Sequence, residues 1–337
     1  MMDTSHNTKL TDPEITGLWT QYQSDSLNLR VNTYMYNNLE AESDDIKEIF
    51  KDAIATSEKN LSQIESIFKK EGYPVPQGFT SHDVYLEAPK LYSDGFCLKY
   101  LHEMTIHGLS AYSVAITIVT RKDMRLFYED KIRDGISLYN KTIELLLSKG
   151  IYHRPPYLPN ATGIDFVKSN NFFSGFFGDK RTLNGSEITN VFFNLKKSIV
   201  TKALLIGFCQ VAKSKEVREI LKKGLDIKSK HIKLFSDILT DDNLPAPQSW
   251  DSDVTDSTTP PFSDKLMMYL TGFLFNTAIS YYGAGLGATM RSDLIVQYER
   301  FILEALKYAK DWSDIMIKNL WMEQPPKAID RKRLGEE

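Results

Sequence analysis

Cysteine is scarce in this chain: Cys97 and Cys209 are the only two among 337 residues. They form no C-x-x-C pair and are too few for a disulfide framework or a thiolate cage, so they read as buried free thiols in a reducing compartment. Charge of one sign is missing too. With 41 basic and 44 acidic residues and a net charge of -3, the chain has no cationic excess for phosphate backbones, and nucleic acid is not an expected partner. Met1 to Leu10 carries no basic segment followed by an apolar one, so a cytoplasmic location is expected. Strand-like period-two alternation is nearly absent, as are GxSxG, HExxH and the P-loop.

What is present is a repeat. Sliding the chain by 170 residues superposes Asp83-Val84 on Asp253-Val254, Ser93-Asp94 on Ser263-Asp264, Tyr112 on Tyr282, Arg121 on Arg291, Tyr128-Glu129 on Tyr298-Glu299 and Pro155-Pro156 on Pro325-Pro326. Between Asp83 and Pro156 there are 13 ungapped identities, where average composition gives about five. Upstream, an offset of 171 pairs Ile46, Ile49, Phe50, Ile64 and Ile67 with Val217, Ile220, Leu221, Phe235 and Ile238, and an offset of 173 pairs Glu14-Ile15-Thr16 with Glu187-Ile188-Thr189.

Each unit reads as four helices. Ile188, Val191, Leu195, Ile199, Ala203 and Ile206 recur at the three-and-four spacing of an inward helical stripe. Ser43-Asp44-Asp45, Ser93-Asp94, Asp123 and Asp293 mark helix starts, where side-chain oxygens and negative charge suit unpaired N–H groups. The first-to-second and third-to-fourth joins are short, which makes those helices antiparallel neighbours. The second-to-third join, Tyr73 to about Lys90, can extend about 55 Å, more than the roughly 42 Å length of a 28-residue helix. The expected fold is all-α: a tandem duplication of a ferritin-like four-helix bundle with a long second-to-third crossover. The expected organisation is a first bundle over 1–151, an aromatic and glycine-containing linker over 152–183, a second bundle over 184–323 and a C-terminal tail over 324–337.

Ferritin-like iron sites take a Glu from each of two helices and Glu-x-x-His from each of the other two. Here the second helices offer Ser57-x-x-Asn60 and Lys228-x-x-His231, and Glu129 and Glu299 on the fourth helices are followed at the third position by Ile132 and Ile302. No metal and no cofactor is therefore expected, with Glu103, Glu129 and His231 as the fallback ligands. His102, Glu103 and His107 on the third helix read as a charged surface face, and His231 as a hydrogen-bonded core histidine.

Leu266 to Met290 contains no charged residue and includes Gly283-x-x-x-Gly287, which satisfies the criteria for a membrane helix. Its repeat partner, Leu98 to Thr120, carries Lys99, His102, Glu103 and His107. Equivalent elements have equivalent surroundings, so the expectation is a fully buried helix whose glycines admit close packing. In the linker, Phe172, Phe173, Phe176 and Phe177 read either as packing between bundles or as a docking patch.

The runs Phe176-Phe177-Gly178-Asp179-Lys180-Arg181, Glu187-Ile188-Thr189, Leu244-Pro245-Ala246-Pro247, Pro261-Phe262-Ser263-Asp264-Lys265-Leu266-Met267-Met268 and Trp321-Met322-Glu323-Gln324-Pro325-Pro326 resemble an uncharacterised family of spore-forming bacteria. The resemblance implies duplicated ferritin-like bundles ascribed to the spore coat. Thr201 to Leu239, with Glu216-Val217-Arg218 and His231, is similar to the coat F family. It implies a fold and a setting but no catalytic residue. The expected function is a non-enzymatic structural or interaction protein of the spore coat or its assembly, with protein partners or homo-oligomers. The rival is a bundle carrying an apolar ligand or metal, with Gly283, Gly287 and the linker aromatics lining the pocket; membrane attachment through Leu266 to Met290 is a third.

Overall fold

The structure, a computed structural model, describes residues 9–176, 180–331 and 333. Among these lie eight α-helices: α1 (Asp12–Asn37), α2 (Asp44–Glu71), α3 (Asp94–Ile118), α4 (Lys122–Ser148), α5 (Gly185–Val211), α6 (Lys215–Asp241), α7 (Asp264–Ala288) and α8 (Ser292–Lys318). The protein is all-helical, with two similar halves. In α2, Ile46, Ile49, Phe50, Ala53, Ile64 and Phe68 are buried; in α8, Leu294, Tyr298, Phe301, Ala305, Tyr308, Trp312 and Met316. This spacing places an apolar stripe on one side of each helix. Ser93 Oγ accepts from Phe96 N at the start of α3, and Ser263 Oγ from Leu266 N at the start of α7, so both starts are capped by the serines of the repeat.

Within each half, consecutive helices pair (α1 with α2, α3 with α4, α5 with α6, α7 with α8), and the pairs meet through α1–α3 and α2–α4, or α5–α7 and α6–α8. The halves are not equal here. α5 packs more closely on α7 than α1 does on α3.

The segments joining α2 to α3 and α6 to α7 hold the halves together. Val84 bridges to Phe262 and Tyr92 to Val254, both antiparallel. Ser93 N donates to Asp253 O (2.8 Å) and Ser263 N to Asp83 O (3.0 Å). Their hydroxyls donate to the same two aspartates, Ser93 Oγ to Asp253 Oδ1 (2.5 Å) and Ser263 Oγ to Asp83 Oδ1 (2.7 Å). Every partner is repeat-equivalent to its opposite number, the signature of an interface with twofold symmetry. The segments after α4 and α8 also cross over. His153 packs its ring on Trp250 at 6.2 Å, and Glu323, its repeat equivalent, accepts from Gln77 N and Gly78 N.

One hydrophobic core spans both halves, joining Tyr34, Phe50 and Phe96 to Phe208, Phe235 and Phe262. A second, smaller cluster of Leu10, Ile15, Leu18, Trp19, Ile64, Phe68, Met124 and Tyr128 closes the far end of the first half. Polar residues separate the two.

Candidate functional site

The polar layer of the first half is built by four helices. Gln21 and Asp25 of α1 follow Ile15 and Leu18 on the inward stripe, Ser57 and Asn60 lie on the inward stripe of α2, Tyr112 comes from α3, and Lys131 continues the stripe of Met124, Phe127 and Tyr128 in α4. Asp25 is held from both sides. Gln21 Nε2 donates to its Oδ2 at 2.8 Å and Asn60 Nδ2 to its Oδ1 at 3.2 Å, while Gln21 Nε2 also reaches Tyr112 Oη at 3.2 Å. Lys131 Nζ donates to Asn60 Oδ1 and, at 2.8 Å, to Gln63 Oε1, above the Phe127 ring. Burial pushes the Asp25 carboxyl up to about 7, against the two amide hydrogen bonds and the more distant charge of Lys131.

These groups line a cavity of about 110 Å³ whose other walls include Leu27, Leu101, Met104, Leu138 and Phe273. On one side it shares Gln21, His107, Ala111, Tyr112 and Phe273 with a largely apolar groove of about 520 Å³ between α1, α3 and α7. On the other it shares Thr56, Asp134 and Leu138 with a polar recess of about 300 Å³ between α2 and α4.

The second half fills the same level differently. By the repeat offsets, Ser198 stands for Asp25, Lys228 for Ser57, His231 for Asn60, Tyr282 for Tyr112, Phe301 for Lys131 and Glu304 for Asp134. Lys228 is fully enclosed, 3.4 Å from Tyr282 Oη and 4.5 Å above the centre of the Phe275 ring, and burial brings its pKa down to about 7. His231 has both ring nitrogens engaged, Nδ1 with Tyr282 Oη at 3.0 Å and Nε2 with Glu304 at 3.2 Å; burial, with Lys228 beside it, lowers its pKa to about 3, so it is neutral. The space remaining beside Lys228 is about 10 Å³, roughly one water.

A third polar cluster sits between the halves. Glu103 of α3 meets Lys99 at 3.0 Å, Lys197 at 3.1 Å and Lys196 at 3.5 Å, and all four are buried. Burial pushes the carboxyl upward, but the three ammonium groups hold it well below the usual carboxylate range. Lys99 and Lys196 also lie over the Tyr152 ring.

The three fallback ligands therefore have separate surroundings. Glu103 is among lysines, Glu129 is exposed and paired with Arg133 at 2.9 Å, and His231 is in the second half. Glu129 and Glu299 face outward because the inward register of the fourth helices runs through Lys131 and Phe301. Among the described residues no group of three or more His, Cys, Asp or Glu side chains could hold a metal ion. At that level the first half offers the buried carboxylate Asp25 beside Lys131 and the second half Lys228 and His231 with Glu304, far short of four carboxylates and two imidazoles, so the donor set does not fit a di-metal centre.

Three sequence expectations need correction. His102, Glu103 and His107 do not form a surface face; all three are buried, His102 against Thr142 and Tyr139 of α4, Glu103 against Lys196 and Lys197 of α5 and His107 against Phe273 of α7. The α7 helix is not fully buried: Gly283 and Gly287 are exposed and an added Cβ would meet nothing within 4 Å, whereas Gly285 lies against the Tyr298 ring. Neither glycine nor any linker aromatic among the described residues lines the cavity. Phe172 is half-buried, stacked on Arg181 and edge-on to Phe173; Phe173 and Phe176 are exposed; Phe177 lies outside the described residues. No helix among the described residues is long and apolar enough to cross a membrane.

Sequence reasoning missed Asp25, Lys131 and the lysines around Glu103. The signal was the register: Asp25 follows Ile15 and Leu18, and Lys131 follows Met124 and Phe127, at helical spacing, so each is a charged residue on an apolar stripe. It also missed the function of Glu14 and Glu187. Each closes a capping box at the start of α1 or α5 and accepts the backbone N–H groups of Arg121 or Arg291 across the half.

Fold and site define a class: an all-helical protein of two repeated halves, clasped by pseudo-twofold connections, with lysines and amides in its interiors. Family comparison matches the chain twice, over residues 2–163 and 171–334, and it belongs to the family described as a protein of unknown function, DUF3231. No curated protein matches. A solved structure from Bacillus halodurans C-125, described as a "putative spore coat protein", aligns at 18% identity with a TM-score of 0.42, covering 47% of this chain and 100% of that one.

Proposed function

We propose that this is a non-enzymatic structural protein, made of two ferritin-like four-helix bundles, that acts in a spore coat or its assembly through its helix surfaces. The observation that carries the non-enzymatic reading is the occupancy of the interiors. Lys131 and Lys228 stand at the level where a ferritin-like bundle would hold its metals, and both are tied into hydrogen bonds or aromatic faces. The spore-coat setting follows the sequence resemblance given above.

The surface supports assembly. Leu126 and Ile136 of α4 are exposed, and so are their repeat equivalents Val296 and Leu306 of α8. An exposed apolar pair that recurs in both halves gives one molecule two equivalent places to be held, the minimum for a lattice or chain. The exposed aromatics Tyr157, Phe166, Phe173 and Phe176 of the linker add to this surface.

Elemental analysis and native mass spectrometry of the purified protein test the reading together. The expected result is metal-free protein that self-associates with concentration, with Ile136→Lys/Leu306→Lys reducing the association. Stoichiometric iron or manganese, or a strict monomer absent from spore coat extracts, would sink it.

A further inference from the structure

We propose that the first half binds a short alkylammonium ion in its interior cavity, the ammonium against Asp25 and the alkyl chain along Leu27, Leu101, Met104 and Leu138. The inference is independent of the structural role above, and its failure would leave that role standing.

Asp25 is aimed and unpaired. One amide N–H holds each carboxyl oxygen, fixing the group's orientation, yet no cationic nitrogen lies within ion-pairing distance among the described residues. Lys131, the nearest cation acting on it, directs its ammonium to Asn60 and Gln63. A buried carboxylate without a counter-ion must either take a proton or recruit a positive charge. The remaining polar lining, from Asn28, Asn32, Ser57 and Thr105, offers oxygens that can accept from the second and third ammonium hydrogens.

Size admits the rest of the ligand. About 10–15 Å³ of such space holds one water, so 110 Å³ has room for roughly seven to eleven waters, and a butylammonium ion of five heavy atoms fits. Leu27, Leu101, Met104 and Leu138 give the space an apolar side that suits a chain of methylenes.

The second half supplies an internal precedent. Where the first half has Ser57, it has Lys228, whose side chain is itself a butylammonium group laid through the interior against aromatic rings, leaving about 10 Å³. Serine at that position, together with Thr105 at the place of Phe275, leaves the void seen in the first half. There Asp25 replaces Ser198 and faces the vacated space. Ligand and missing side chain have the same chemistry.

The test is isothermal titration of the full-length protein with n-butylammonium chloride, beside n-butanol, sodium chloride and potassium chloride at matched ionic strength. The expected result is saturable binding of one butylammonium per chain and none of the controls. Asp25→Asn, shown folded by circular dichroism, should weaken it at least tenfold. Ser57→Lys, which copies the second half and supplies the ammonium covalently, should abolish it while the protein stays folded. Equal binding of butanol would mean an apolar void without charge recognition, and an equal response to sodium or potassium would mean an inorganic cation site. Either result, no saturable binding at all, or undiminished binding in folded Ser57→Lys would overturn the proposal.

Discussion

Asp25 and Lys228 are buried charges of opposite sign, so their effects on stability run in opposite directions with pH. The carboxyl of Asp25 titrates near 7 in the folded protein and near 3.8 when unfolded. Between these values the unfolded chain has lost the proton that the folded one keeps, so the penalty is absent below about pH 4, grows through the window and is complete above 7. At 1.36 kcal/mol per unit its ceiling is on the order of 4 kcal/mol. Asp25→Asn, in which Gln21 can rotate its amide to suit the new side chain, should raise Tm at pH 8 and leave it unchanged at pH 4. Lys228 has its pKa lowered from 10.5 to about 7 by burial. Its penalty is complete below 7 and disappears as pH rises towards 10.5. Lys228→Met, nearly isosteric, should therefore stabilise by a few kcal/mol at pH 6 and by little at pH 10, as thermal melts across pH would show. Identical pH trends in the two variants would contradict both assignments. At this scale the sequence was only partly legible: Ser57, Asn60, Lys228 and His231 could be placed inward by spacing alone, but the partners of Asn60, Lys228 and His231 lie 35 to 73 positions away, such as Asp25 for Asn60 and Glu304 for His231.

At the scale of elements, α7 shows how composition and surroundings separate. The absence of charge from Leu266 to Met290 predicted complete burial, yet Gly283 and Gly287 face open space while Gly285, between them, lies where a Cβ would come within 2.6 Å of the Tyr298 ring. In a helix, glycine costs about 0.5–1 kcal/mol relative to alanine when nothing else intervenes. Gly283→Ala and Gly287→Ala should each stabilise by about that amount, and Gly285→Ala should destabilise by about 1–3 kcal/mol through overpacking against a buried tyrosine. Urea unfolding of the three variants would check this; a stabilised Gly285→Ala would show that Tyr298 gives way. Helix positions themselves were readable, since caps at Ser93 and Ser263 and short joins depend on neighbours in sequence. The surroundings of α3 were not. Its polar residues Glu103 and His107 looked like a solvent face because their partners, Lys196, Lys197 and Phe273, belong to the other half, while His102 meets Thr142 and Tyr139 of α4.

For the whole molecule, the duplication was legible as identity at a fixed offset, and the structure shows what the repeated residues are for. Asp83, Ser93, Asp253 and Ser263, all read from the sequence as markers of the repeat, form the reciprocal clasp between the halves. A single half keeps both an aspartate and a serine of that clasp, so a second copy of the same half can satisfy them as the other half does now. The segment after α8 would likewise reach a neighbour, as Glu323 reaches Gln77 and Gly78. Residues 184–330 produced alone should therefore form a twofold dimer burying Phe262 and Leu266, and light scattering with size exclusion should report twice the mass of one chain. Asp253→Ala, which removes the acceptor of the serine hydroxyl from both sides of that dimer at once, should shift it towards monomer, whereas in the intact chain covalent linkage keeps the halves at high effective concentration and the same change should cost only stability. A compact, stable monomer of 184–330 would mean that the clasp follows from linkage and is not a self-complementary surface.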